Sequence, residues 1–267
     1  MALSFSPTLA QSRSAPVAVR AIGFADLRVA LRAGIDDFLA MPTHVVVLVL
    51  IYPVIGVFIA RLSVYDDLLP LAYPMAAGFA LLGPFAALGV YALSRRRERG
   101  ESPNWSDAFD ALRSPGTPGI AVLGVVQLAI FAAWIATAQV LFGLLADGLH
   151  AGSIGDFLGF VFGTPAGWAL IVLGNGLEFL FAALAFTISV ISLPLLLDRG
   201  GTAGDAVRTS FNAVRASPGP MAAWGLIVAG ALLLGSLPVF VGLAVVLPVL
   251  GHATWHLYRR VVPESGS

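Results

Sequence analysis

Long apolar runs constrain this chain more than any other feature of its sequence. A helix needs about 20 predominantly apolar residues to cross the ~30 Å hydrocarbon core of a bilayer. Runs of that length cover residues 44–62, 68–93, 118–146, 166–197 and 220–258. The last run is long enough for two helices, and residues 235–238 (Gly-Ser-Leu-Pro) supply a turn signal between them. The sequence therefore predicts six transmembrane helices.

The composition excludes a soluble fold and several classes of site. Apolar residues make up 58% of the chain and charged residues 11%, whereas soluble domains carry about 25% charge. Because the chain contains no cysteine, disulfides, iron–sulfur clusters and thiol nucleophiles are excluded. A net charge of zero argues against nucleic acid as a partner. We expect an all-α polytopic membrane protein whose first partner is the lipid bilayer.

The positions of the arginines predict the orientation in the membrane. All 15 basic residues are arginines, and 14 of them lie in the two terminal segments or in the second-to-third and fourth-to-fifth connections. Arg61 alone falls on the other side, where Asp66, Asp67, Asp147 and Asp156 also lie. Arginine-rich loops stay in the cytoplasm. Both termini are therefore predicted to be cytoplasmic, in a bacterial inner membrane.

Short amphipathic segments precede the first, third and fifth predicted spans. Their apolar residues recur at helical spacing, as in helices that lie flat in the membrane interface. These residues are Leu27, Leu31, Gly34, Ile35 and Phe38; then Trp105, Ala108, Phe109 and Leu112; then Val207, Phe211 and Val214. The pattern predicts three pseudo-repeated units, each an interfacial helix followed by a helix pair.

The chain reads as one membrane domain between two short tails. The first 25 residues carry no acid and lack the compact apolar stretch of a secretory signal, although a transit peptide has a similar composition. We expect disordered cytoplasmic tails at residues 1–23 and 261–267, with a single domain at residues 24–260. Residues 154–162 are expected to form a short re-entrant or interfacial segment.

Several motifs resemble those of a known family. They are Gly83-Pro84-Phe85 and the segments 91–96, 98–101, 194–199 and 251–259. Together they are similar to a family of bacterial integral membrane proteins classed as a domain of unknown function, over residues 26–260. Some members carry the label of a cytochrome c oxidase subunit. The resemblance implies a fold and a membrane address, but no reaction.

The oxidase label can be compared with the histidines of this chain. A haem–copper catalytic subunit needs more histidine ligands within its membrane helices than the four histidines present. His252 and His256 share one helical face, and such a pair can supply two ligands to a metal, with His44 as a candidate third. Alternatively, the pair anchors the end of the sixth helix at the headgroups together with neighbouring aromatic and arginine side chains.

One acid lies deep within a predicted span. Glu178 is about 18 Å along the fourth helix, near the midplane, where a carboxylate is costly. Asn175 lies on the same face, and Gln127 is expected at a comparable depth in the third helix. The group predicts either a proton or ion site, or a protonated carboxyl that joins two helices through a hydrogen bond.

A cluster of arginines follows the second span. Arg95, Arg96, Arg97 and Arg99 are candidates for binding anionic lipid headgroups, although the orientation rule accounts for them equally well.

The residues favour a non-enzymatic protein without a cofactor. We expect an accessory or assembly subunit that associates with other membrane proteins in a larger membrane complex, for which a respiratory complex is one candidate. The alternatives are a small proton- or ion-coupled transporter or channel that uses Glu178, and a metal- or haem-binding membrane protein that uses His252 and His256.

Overall fold

Nine α-helices and one 3₁₀ helix make up the described part of this computed structural model, which covers residues 17–41, 74–75, 83–146, 149, 154–238 and 241–263. The α-helices are α1 (Phe24–Ala40), α2 (Gly83–Glu98), α3 (Thr117–Leu145), α4 (Ile154–Gly163), α5 (Pro165–Ser189), α6 (Ser192–Arg199), α7 (Ala203–Ala216), α8 (Pro218–Ser236) and α9 (Leu243–Val261). The 3₁₀ helix is Trp105–Arg113. The all-α prediction is confirmed, since these ranges contain no strand.

Three helical stretches among these residues are long and apolar enough to cross a membrane. They are Thr117–Leu145, Pro165–Arg199 and Pro218–Ser236. The helix α8 ends inside the turn predicted at residues 235–238, and α9 follows it. The first predicted span, residues 44–62, lies outside the described residues, as does most of the N-terminal part of the second. The number six therefore stays a prediction.

Each candidate span has a proline in its first turn. Pro118, Pro165 and Pro218 lie in the first turns of α3, α5 and α8, where a missing N–H costs nothing because it would have no partner in the helix. Thr164 strengthens the start of α5, since its Oγ1 accepts a hydrogen bond from Gly167 N at 2.9 Å. The sequence thus specifies sharp helix starts.

The predicted amphipathic segments form α1, the 3₁₀ helix and α7, and most of their buried residues are small. In α1 the buried residues include Ala30 and Gly34. A Cβ on Gly34 would lie 2.5 Å from Ala253 N, so α1 and α9 meet backbone to backbone. The 3₁₀ helix likewise contacts α2 where Ala108 faces Gly89. Small residues permit these close approaches, while several large apolar side chains, such as Phe24, Leu39, Leu112 and Phe211, are exposed.

Each amphipathic helix packs against one or two other helices of the described part of the chain. The helix α1 packs on α9, the 3₁₀ helix packs on α2, and α7 packs on α5 and α6. The hydrophobic core is formed by these helices together with the C-terminal ends of α2, α6 and α9. Its largest fully buried side chains include Trp224, Trp255, Tyr258, Leu93 and Leu196.

Parts of the predicted tails contact this core. Residues 17–23 form an extended segment before α1. Arg20 N donates a hydrogen bond to Val261 O at 2.8 Å, and the N–H of the buried Ile22 donates to Ser217 Oγ at 2.8 Å. Val261 and Val262 are buried as well. The N-terminal approach to α1 and the end of α9 therefore lie side by side.

The fourth predicted span, residues 166–197, is interrupted by a turn at residues 190–191. Pro194 has no N–H with which to continue the helical pattern. Ser210 of α7 bridges the interruption: its hydroxyl donates to Thr187 O at 2.7 Å and accepts from Ile191 N at 3.3 Å. These are the two groups that a regular helix would join directly, so a side chain from α7 is inserted into the hydrogen-bond ladder.

Replacing Gly34 with alanine should destabilise the protein by separating α1 from α9, because the new Cβ would overlap backbone atoms of Ala253. Gly204→Ala is the matched control, since nothing lies within 4 Å of a Cβ at that position. We expect thermal unfolding in detergent, monitored by tryptophan fluorescence, to show a lower Tm for Gly34→Ala but not for Gly204→Ala. Equal Tm values for the two variants would contradict this packing.

Replacing Ser210 with alanine should cost about 1–3 kcal/mol, because it leaves Ile191 N and Thr187 O without their partner in a buried setting. Ser236→Ala serves as the control, since the Ser236 hydroxyl bonds to Leu232 O of its own helix. The free energies of unfolding can be compared by denaturant titration. If Ser210→Ala were as stable as Ser236→Ala, the hydrogen bonds of Ser210 to Thr187 O and Ile191 N would contribute nothing to the free energy of unfolding.

Candidate functional site

Polar side chains are concentrated where the C-terminal ends of α2, α6 and α9 converge. We call this region the arginine-rich end. It contains two connected sets of bonds: the histidine network, formed by Asp37, Ser94, Arg97, His252 and His256, and the central ion network, formed by Glu98, Asp198, Trp255, Tyr258 and Arg259.

The histidine network joins three helices around one carboxylate. Asp37 of α1 is 6% exposed. Its Oδ2 lies 2.7 Å from Ser94 Oγ of α2 and 2.9 Å from His256 Nε2 of α9. Its Oδ1 accepts a hydrogen bond from Arg97 Nη1 at 2.7 Å. The carboxylate is thus held by donors from α2 and α9.

The bonding pattern determines where the protons lie. A carboxylate only accepts hydrogen bonds, so Ser94 and His256 donate to Asp37. The single hydroxyl hydrogen of Ser94 is used in this way, and His252 Nδ1, which lies 2.6 Å from Ser94 Oγ, must then be the donor to that oxygen. The chain of donors runs from His252 through Ser94 to Asp37.

Two effects act on the pKa of Asp37. Burial alone would raise it, but the hydrogen bonds from His256 and Ser94 and the charges of the two histidines outweigh burial and hold the pKa below its usual value. Asp37 therefore remains a carboxylate near neutral pH. Its negative charge offsets the nearby Arg97 guanidinium.

The order of groups differs from that of a nucleophilic triad. In such a triad the histidine lies between the serine and the acid and takes the serine proton. Here the fully buried Ser94 lies between His252 and Asp37 and directs its proton to the carboxylate. The arrangement is suited to holding α1, α2 and α9 together.

The central ion network joins the three converging helix ends. Arg259 of α9 donates through Nε to Glu98 Oε2 of α2 at 2.8 Å and through Nη1 to Asp198 Oδ2 of α6 at 3.1 Å. Tyr258 Oη donates to the same Asp198 oxygen at 2.8 Å, and Trp255 Nε1 donates to Glu98 Oε2 at 3.3 Å. The Arg259 guanidinium also lies 5.1 Å from the Trp255 ring centroid, within reach of a cation–π contact.

Three of the four arginines predicted to bind lipid headgroups contact acceptors of the protein. Arg95 Nη1 donates to Leu197 O. Arg96 forms ion pairs with Asp110 of the 3₁₀ helix at 2.6 Å and with Glu101 at 2.7 Å. Arg97 binds Asp37, whereas Arg99 is exposed. Arg95, Arg96 and Arg97, in the last turn of α2, therefore connect α2 to its neighbours.

The histidine pair does converge, as its spacing predicted, but on Asp37 and Ser94. No group of three or more His, Cys, Asp or Glu side chains has an arrangement that could hold a metal ion within the part of the chain that the structure describes. His44, the candidate third ligand, lies outside that part. The metal site stays a prediction.

The polar residues predicted near the membrane midplane lie on α3 and α5, which pack against each other. Gln127 is fully buried in α3, and its Nε2 lies 3.4 Å from Ala185 O. Ala185 is seven residues from Glu178 along α5, or about 10 Å. Glu178 is half-buried, while Asn175 is exposed and donates to Ile171 O of its own helix. That Gln127 and Glu178 lie at a comparable depth stays a prediction.

Sequence reasoning missed Asp37, although it recognised α1. The buried face of α1 is Leu27, Ala30, Gly34 and Asp37, at spacings of three and four residues. An aspartate in register with Ala30 and Gly34 was the available signal. Its neighbour Asp36 is exposed, and only the tertiary structure separates the two.

The comparisons agree with the membrane character of the chain. The family model described as a predicted integral membrane protein (DUF2189) matches residues 72–198. No curated protein and no solved structure matches the chain. The resemblance to an uncharacterised integral membrane protein family is thus confirmed, and the match includes α2, the 3₁₀ helix and α3 to α5, together with most of α6.

Replacing Asp37 with asparagine should lower the Tm near neutral pH and reduce the loss of stability in acid. Because the pKa of Asp37 is lowered by folding, its stabilisation is present above its ordinary pKa of 3.8 and disappears as the pH falls below that value. Tm measured from pH 6 to pH 3 should therefore fall less steeply for Asp37→Asn than for the native chain. Asp36→Asn is the control, and an identical pH profile for Asp37→Asn and the native chain would contradict the assignment.

Proposed function

We propose that this integral membrane protein is a non-enzymatic accessory or assembly subunit of a larger complex in the bacterial inner membrane. One observation carries the proposal. The ionisable groups of the arginine-rich end bind one another and hold helix ends together, while large apolar side chains of the candidate spans face outward. Helix ends joined by internal ion pairs, together with exposed apolar side chains on the candidate spans, fit a protein that acts through contacts with other helices.

The proposed architecture has six spans in three units. The first unit runs from α1 to α2, the second from the 3₁₀ helix to α6, and the third from α7 to α9. Support comes from the packing of each amphipathic helix on the last helices of another unit. The packing of α1 on α9 joins the first unit to the third, so the three units would form a closed ring. The equivalent placement of α2, α6 and α9, whose ends share the central ion network, also supports it.

The proposed orientation places both termini and the arginine-rich end in the cytoplasm. The support is the arginine distribution, because 14 of 15 arginines fall in the segments that this topology assigns to one side. The extended segment at residues 17–23 contacts Val261, which favours placing the two ends of the chain on the same side.

The exposed apolar faces of the candidate spans provide the surface for partner helices. Side chains that are more than half exposed lie along α3, α5 and α8; among them are Val125, Leu144, Val172, Leu180, Leu226 and Leu233. Lipid tails or the helices of another membrane protein can cover such faces equally well, since both are apolar. The oxidase label of some members of the resembling family makes respiratory complexes the first place to search.

The test is purification of the tagged chain from native membranes in mild detergent, followed by quantitative mass spectrometry. We expect one membrane protein complex at a constant ratio to this chain, absent from a control purification with a tagged membrane protein of similar size. A homogeneous monomer without a reproducible partner would overturn the proposal.

The same preparation tests the two alternatives. Elemental analysis and a visible absorption spectrum would reveal a metal or haem at His252 and His256. Proton or ion flux into liposomes that is abolished by Glu178→Gln would establish a transporter. Either positive result, without a copurifying complex, would replace the accessory role.

A further inference from the structure

The outward faces of the amphipathic helices combine arginines with large apolar side chains. On α1 the residues Phe24, Arg28, Arg32, Ile35 and Leu39 follow one another at spacings of three and four, and all are exposed. The opposite face of α1 is buried against α9. The exposed stripe is therefore a distinct surface.

The other two amphipathic helices carry the same combination. On α7, Arg208, Phe211 and Arg215 are exposed at a spacing of three and four, and the Arg215 guanidinium lies 5.6 Å from the Phe211 ring centroid. On the 3₁₀ helix, the rings of Trp105 and Phe109 meet edge to face beside the exposed Leu112 and Arg113.

The N-terminal end of α1 lies beside the C-terminal end of α7. Ile22, just before α1, donates its N–H to Ser217 at the end of α7. Gly219 also lies beside the Phe24 ring, since a Cβ there would be 3.7 Å from the Phe24 Cζ atom. Arg215 and Arg28 thus belong to neighbouring segments of one surface.

Most acidic side chains of the arginine-rich end form ion pairs with arginines that do not lie on these outer faces. Asp107 and Asp110 of the 3₁₀ helix pair with Arg96, and Asp37 pairs with Arg97. Asp36 and Asp205 remain near the outer faces, the latter 3.9 Å from Arg208. Within the described ranges, Arg28, Arg32 and Arg113 have no ion pair with an acid. The outer faces therefore carry an excess of positive charge.

We propose that these outer faces of α1, the 3₁₀ helix and α7 bind the headgroups of anionic phospholipids. A surface in water would expose fewer large apolar side chains, and a surface in hydrocarbon would not carry arginines. The boundary between headgroups and acyl chains accommodates both: apolar side chains enter the acyl region while the guanidinium groups bind phosphate through paired hydrogen bonds. The proposal depends on residence in the membrane and not on the accessory role.

This assignment differs from the arginine run predicted from sequence. Arg95, Arg96 and Arg97 use their guanidinium groups on protein acceptors. The arginines on the amphipathic helices are the ones whose surroundings fit lipid, because exposed apolar side chains accompany them.

Native mass spectrometry of the purified full chain can test the proposal. The probe is detergent micelles with equal amounts of phosphatidylglycerol and phosphatidylcholine, and the readout is the amount of each lipid retained. We expect preferential retention of phosphatidylglycerol. The double variants Arg28→Gln with Arg32→Gln, and Arg208→Gln with Arg215→Gln, should each weaken it by roughly tenfold, since each basic residue near an anionic surface contributes to binding.

Matched single variants exclude a simple effect of net charge. Arg113→Gln should reduce phosphatidylglycerol retention, whereas Arg99→Gln removes an equally exposed charge that follows α2 and should not. Inorganic phosphate should not displace the lipid, because the apolar contacts are specific to a lipid. An unchanged Tm confirms that each variant is folded. Equal retention by all variants, an equal loss in Arg99→Gln, or displacement by phosphate would overturn the proposal.

Discussion

The buried carboxylate of Asp37 is the interaction on which the arrangement of this helix bundle depends. It binds Ser94 and Arg97 of α2 and His256 of α9 at once, so it fixes the amphipathic helix α1 against two helices that lie far from it in sequence. A buried charge is tolerated only when donors surround it. Position and protonation are therefore linked: the carboxylate stays ionised because the donors are present, and the donors are held in place by the carboxylate.

The same principle is repeated at the other contacts of the amphipathic helices. Asp110 of the 3₁₀ helix binds Arg96 of α2, and Ser210 of α7 bridges the interrupted ladder between α5 and α6. Small residues such as Gly34 and Ala108 allow the backbones to approach closely enough for these bonds. Close packing supplies the contact area, and one polar bond at each contact fixes its register. Through this combination, the arginine-rich end is packed more closely than the candidate spans, whose side chains are more exposed.

The arginines of this chain consequently have two roles. Arg96, Arg97 and Arg259 bind acids from neighbouring helices and belong to the interior of the arginine-rich end. The arginines on the outer faces of α1 and α7 accompany exposed apolar side chains and are proposed to meet the membrane surface. A charge count assigns both kinds to the same side of the membrane. Only their surroundings distinguish a structural guanidinium from one that is available to a ligand.

The sequence by itself determined the helical class, the membrane character and the positions of several helix starts, because apolar length and proline placement are local properties. It also placed His252 and His256 on one face, since that follows from helical spacing. It did not identify Asp37 as their partner or Ala185 O as the acceptor for the Gln127 amide. Those facts depend on how separate helices pack: on the close approach of Gly34 to Ala253, and on the contact between α3 and α5. Such contacts join residues far apart in the chain, so only the tertiary structure decides them.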